Sequence, residues 1–274
     1  MFRYVICSVL LAVIALPAEA QNTPGTAREL VNKYRSSVFC IRTKRKFDDH
    51  RFALGYCTGF LVSKDPPLII TSGTVYSGAP EDSHTLVIAS GTGKEYLVKA
   101  VHTLQSRRPS DREKGNNATD ISIIELAQQL GDEYKALPLE EKGRDRNIAG
   151  ERIVGIGIPI YGVAQSSREA SKPYRIPDIA VREGSIVRMA DADGDSTETP
   201  IAERPMFEHN SIYVEGEHGG PIFSLASGKV VGLHIGTMRR QDGRGRTIAL
   251  IPLAIHVDII HELLYEYENR ENFK

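Results

Sequence analysis

From Ser37 to Pro252 the chain is a succession of short runs of β-branched, aromatic and aliphatic residues, each ended by turn-forming residues. The runs occupy 37–43, 52–62, 67–72, 85–90, 95–103 and 121–126, then 152–158, 178–189, 211–214, 221–225, 229–236 and 246–252. Such side chains suit a pleated, half-buried surface, and many short strands at this spacing specify an all-β sandwich or barrel. The runs form two similar sets, joined by a charged segment around Leu139–Gly150. Two stretches have helical spacing instead. Arg28–Tyr34 reads as a short amphipathic helix, and Leu253–Tyr267 repeats Ile255, Val257, Ile259, Ile260, Leu263 and Leu264 at helical intervals. Gln105–Thr119, Gln165–Pro173 and Asp191–Arg204 are too polar for core and read as surface loops.

The first residues concern destination rather than fold. Met1-Phe2-Arg3 is a basic start, Tyr4–Leu16 an apolar run, and Ala18-Glu19-Ala20 puts small residues where a signal peptidase reads. The expectation is a signal peptide cleaved after Ala20 and a secreted or periplasmic protein. No other stretch approaches the roughly 20 apolar residues of a membrane-spanning helix. About 250 residues then remain, enough for one large domain or two packed halves. The formal net charge of −1 gives no global electrostatic case for nucleic acid or an anionic membrane as partner.

Past Ala20 the cysteines are Cys40 and Cys57, each in a strand-like run. If the runs form a hairpin turning near Asp48-Asp49, the thiols face each other across it. In an oxidising compartment a cross-strand disulfide is then the preferred reading, and two buried free thiols the alternative.

The most informative local pattern is Glu215-Gly216-Glu217-His218-Gly219-Gly220-Pro221-Ile222-Phe223, a glycine-rich turn leading into a strand. Glycines flanking one projecting side chain let backbone N–H groups aim at a single point, as an oxyanion hole requires. Here the chain resembles the trypsin-like serine proteases, in particular their HtrA-like branch, whose signature is Gly-Asn-Ser-Gly-Gly-Pro-[Leu/Ile]. Thr58-Gly59-Phe60-Leu61-Val62-Ser63-Lys64-Asp65 is similar to that family's Ser-Gly-Phe-Ile-Val-Ser-x-Asp. Leu68–Val75 falls where the family has Ile-Leu-Thr-Asn-x-His-Val, and Thr119–Leu126 is similar to the strand that carries its aspartate. Ile153–Pro159, Glu183–Val187, Val230–Gly236 and Thr247–Pro252 follow in the family's order.

The resemblance implies two packed six-stranded antiparallel β-barrels with a C-terminal helix and a cleft between the barrels. The expected layout is a signal peptide over 1–20, a linker and short helix over 21–35, and a double-barrel domain over 36–267. Within it the first barrel covers about 36–138, the second about 150–253, and the helix 253–267, with no PDZ module behind. The resemblance also puts the triad at Thr74, Asp120 and His218, so only the aspartate is of the family's type. The backbone of Gly216 and His218 would supply oxyanion donors, and Leu233, His234 and Gly236 would wall the specificity pocket.

In the family mechanism a histidine takes the serine's proton and an aspartate orients the imidazole. Thr74 does neither at neutral pH, and losing nucleophile or base costs about a million-fold in turnover in the best-studied hydrolase triad. An exchanged pair, Thr74 as nucleophile and His218 as base, starts the attack from the wall opposite the oxyanion turn. Geometry disfavours it. Glu215, Glu217, His218 and His234 are zinc-type donors without a spacing that specifies a site, and Asp191–Asp195 departs from a calcium loop, so no metal and no cofactor is expected. Arg239–Arg246 concentrates four arginines around an Asp-Gly turn and reads first as a solvated hairpin tip, secondly as an anchor for an acidic peptide or polyanion. Asn117-Ala118-Thr119 is a glycosylation sequon only in a eukaryotic host. The expectation is a non-catalytic homologue that binds an extended peptide or protein in the cleft, with an exported Thr/Asp/His or metal-dependent hydrolase as the alternative.

Overall fold

The structure, a computed structural model, describes residues 26–46, 52–73, 84–103, 121–143, 148–159, 179–190 and 204–270. The expected signal peptide, the three polar loops up to residue 203 with the sequon and the acidic loop, and both Thr74 and Asp120 lie outside these residues.

Two closed antiparallel barrels of six strands each form the body, as the resemblance implied. The first contains β1 (Val38–Lys46), β2 (Phe52–Lys64), β3 (Pro67–Ser72), β4 (His84–Ala89), β5 (Glu95–Thr103) and β6 (Ile121–Leu126), closed in the order β1-β2-β3-β6-β5-β4. The second contains β7 (Arg152–Gly157), β8 (Ala180–Ala190), β9 (Met206–His209), β10 (Pro221–Ser224), β11 (Val230–Gln241) and β12 (Thr247–His256), closed as β10-β11-β12-β9-β8-β7. Helix α1 (Ala27–Tyr34) precedes the first barrel and α2 (Val257–Glu268) follows the second.

Alternation along the strands builds apolar centres inside each barrel and between them. Phe39, Ile41, Cys57, Leu61, Ile69 and Ile124 fill the first barrel, and Ile153, Ile186, Phe207, Ile222 and Val231 fill the second. Residues of opposite phase, among them Phe60, Ile70, Ile123, Val154, Phe223 and Leu233, form the core between the barrels. β3 and β6 are buried at every position, because one face of each lies inside a barrel and the other against this shared core. Continuous apolar runs are what such strands require.

That alternation also corrects the disulfide expectation. The β1–β2 hairpin forms, but its register pairs Cys40 with Thr58 and Ile41 with Cys57. The offset of one residue turns the two thiols to opposite faces of the sheet. Cys40 joins the inter-barrel core and Cys57 the interior of the first barrel, and both are buried thiols outside any disulfide. Burial pushes the Cys40 thiol up to about 12, with Arg42 opposing.

Both helices bind the barrels together. Thr26 and Glu29 form a capping box at the start of α1, whose Tyr34 stacks on Phe223 of β10 with ring centroids 5.6 Å apart. α2 leaves the second barrel and packs on the first, where Tyr267 donates to Glu125 of β6 at 2.7 Å. The expected start of this helix at Leu253 is corrected to Val257, because Leu253–Ile255 still pair with β9. The strand expected at 211–214 is likewise replaced by β9, five residues earlier than the expectation and flanked by β8 and β12.

Candidate cleft site

Gly216 to Gly220 link β9 to β10 within the second barrel and touch both barrels. The His218 carbonyl accepts from the Thr58 amide of β2 at 2.6 Å, and the Gly219 amide donates to the His234 carbonyl of β11 at 2.7 Å. Thr58 holds the same turn through its side chain: its hydroxyl donates to the Gly216 carbonyl at 2.8 Å and accepts the Ile158 amide at 2.9 Å. Gly219 has φ +82°, and a methyl there would stand 2.1 Å from the Thr58 carbonyl oxygen and 2.7 Å from the Ser72 nitrogen. Only glycine permits so close an approach of the turn to β2 and the end of β3.

Glu217 braces the turn from behind. Its carboxylate accepts the Arg182 guanidinium of β8 at 3.1 Å and the Val214 amide at 3.1 Å, with the glutamate side chain 5% exposed. A carboxylate so deeply buried is tolerable only with such partners. A pocket of about 20 Å³, room for little more than a water molecule, lies beside it, lined by Gly157, Arg182, Ser211, Glu217 and His234 among others.

His218 projects from the turn toward β11. Its Nδ1 lies 2.6 Å from the Ile235 carbonyl, which can only accept, so this nitrogen carries the proton. The ring lies over Gly236, where φ is +135° and a Cβ would meet His218 Cε1 at 2.8 Å. Tyr213 stands edge-on to the same imidazole at 4.8 Å between centroids.

Behind Tyr213 runs a buried polar chain. The Ser211 hydroxyl meets His209 Nδ1 at 2.6 Å, and His209 Nε2 meets His234 Nδ1 at 2.9 Å. Burial pushes His209 down to about 4. His234 is held well below its ordinary range by burial first, then by His209 and His218. Both imidazoles are therefore neutral at pH 7. Tyr213 is raised by burial and then by Glu217 and Glu215; the His218 backbone N–H lies near its hydroxyl, short of a full hydrogen bond.

A family model described as a trypsin-like peptidase domain matches residues 57–233, more than half of the chain. The chain belongs to that family. The match begins in β2 and ends in β11, so it takes in strands of both barrels and the whole Gly216–Gly220 turn. No curated protein matches the chain.

Within this trypsin-like peptidase domain the structure brings Gly216, His218, His234 and Gly236 together. Leu233 is instead fully buried in the inter-barrel core, opposite Pro221 of β10. Thr74 and Asp120 follow and precede described strand ends that are paired, Ser72 opposite Ile121. Sequence reasoning missed Thr58 as the residue that ties the turn to the first barrel, Arg182 as the partner of Glu217, and the Ser211–His209–His234 chain. Only proximity in the fold reveals them.

Proposed function

We propose that this trypsin-like peptidase homologue is non-catalytic and acts by binding an extended peptide along the cleft wall. The carrying observation is the hydrogen bond from His218 Nδ1 to the Ile235 carbonyl. By resemblance His218 stands at the nucleophile's place, and it is spent on a main-chain carbonyl of its own barrel, with Tyr213 and Gly236 enclosing the ring. By the same resemblance the base is replaced by Thr74, so neither half of a serine–histidine pair is left. β10 covers β11 only as far as Leu233 and the turn covers His234, so beyond Ile235 that edge of β11 has no strand beside it among the described residues. Main-chain groups on such an edge supply affinity for an added strand.

Export, with cleavage after Ala20, belongs to the same proposal and rests on Met1–Ala20. The test mixes the purified protein with a fluorescein-labelled, permanently unfolded protein and follows anisotropy and fragment release together. A rise in anisotropy with no fragments is expected. Fragment release that depends on Thr74, His218 or a chelatable metal overturns the proposal in favour of a non-standard hydrolase.

A further inference from the structure

β11 and β12 continue past the barrel as a two-stranded ribbon. Thr237–Gln241 pair with Pro252–Thr247, while β10 reaches only Leu233 of β11 and β9 only Leu253 of β12. The ribbon's tip is a built turn: the Asp242 carboxylate accepts the Arg244 and Arg246 amides at 2.9 and 3.0 Å and the Arg246 guanidinium at 2.8 Å. Arg239 and Arg240 stand next to each other on β11, both exposed, and with Arg244 they have no acidic partner among the described residues. Arg239 stands opposite Leu250 on one ribbon face and Arg240 opposite Ala249 on the other.

Among the described residues the free edge of β11 is therefore continuous from the His218 turn outward, Gly236 to Gln241, and its outer end is basic. Six residues of strand span about 20 Å. A bare edge with adjacent arginines repels a second copy of itself, which is how edge strands avoid self-pairing. The same charges attract a strand of opposite sign. We propose that the peptide bound by this chain is acidic: an extended segment adds to the edge of β11 at Gly236–Gln241, its carboxylates meeting Arg239 on one face of the ribbon and Arg240 on the other. The inference rests on the peptide-binding reading above and names the class of peptide.

The test uses two fluorescein-labelled nonapeptides of alternating valine and threonine, one with three interspersed glutamates and one with lysines in their place. Anisotropy is read against the full protein, R239E/R240E and the milder R239Q/R240Q, with thermal unfolding as the check on folding. The glutamate peptide is expected to bind at least tenfold more tightly than the lysine peptide at low salt. This preference shrinks as salt screens the pairs, falls several-fold in the glutamine variant and reverses in the glutamate variant. Equal binding of both peptides by all three proteins overturns the acidic preference and leaves the peptide-binding reading standing; no binding of either peptide overturns both. Arginine-dependent sedimentation with anionic phospholipid vesicles, without a peptide preference, assigns the arginines to a lipid surface and overturns the inference.

Discussion

At the residue scale, the turn depends on one position that tolerates no side chain. A methyl at Gly219 would sit inside contact distance of the Thr58 carbonyl, and its φ of +82° is strained for any L-residue. Gly219→Ala should cost about 3 kcal/mol or more in urea unfolding. Gly243→Ala on the ribbon tip, where nothing lies within 4 Å, should stay within about 0.5 kcal/mol. Gly219 was legible because local spacing alone marks a glycine-rich turn. Thr58 was not, because its partners are 100 and 158 positions away in the chain. The cysteines failed for a subtler reason: their hairpin was legible, but pairing depends on a register phase that a one-residue change in the turn reverses.

At the element scale, most strands were visible from β-branched runs between turn residues. β9 was hidden because Glu208 and His209 make it look polar. Its burial is repaid by partners: Arg188 of β8 pairs with Glu208, and His234 of β11 with His209. The start of α2 was misplaced because Leu253–His256 carry the same apolar residues as the helix, and pairing with β9 decides their conformation. The docking of α2 on the first barrel turns on Tyr267, Glu125 and Lys99. Lys99 first and Tyr267 second hold the Glu125 carboxyl below its ordinary range. A carboxyl lowered in the folded state stabilises above its unfolded pKa, and that stabilisation is lost as pH falls through the folded value. Tyr267→Phe should therefore cost about 1–3 kcal/mol at pH 7 and less in acid, read from urea unfolding at both pH values.

At the scale of the whole molecule, the buried imidazole chain links stability to pH. His209 titrates near 6.5 when unfolded and near 4 when folded, so the unfolded chain takes up its proton first. The contribution is complete above about pH 6.5 and is lost as pH falls toward 4, up to about 3 kcal/mol from His209 alone. His234 is shifted in the same sense. Thermal unfolding should show a midpoint that drops between pH 6.5 and 4, and His209→Gln should flatten that drop. The double-barrel architecture was legible because its pieces recur in a fixed order, whereas the interactions that hold the Gly216–Gly220 turn arise between elements far apart in sequence. The central proposal is that the cleft around His218 performs no chemistry. Its most direct test is prolonged equimolar incubation of the purified protein with a reduced, unfolded protein, alongside Thr74→Ala, His218→Ala and a chelator-treated sample, with products read by mass spectrometry. The account predicts intact substrate in every sample; cleavage by the wild-type protein that disappears in either variant or on chelation would contradict it.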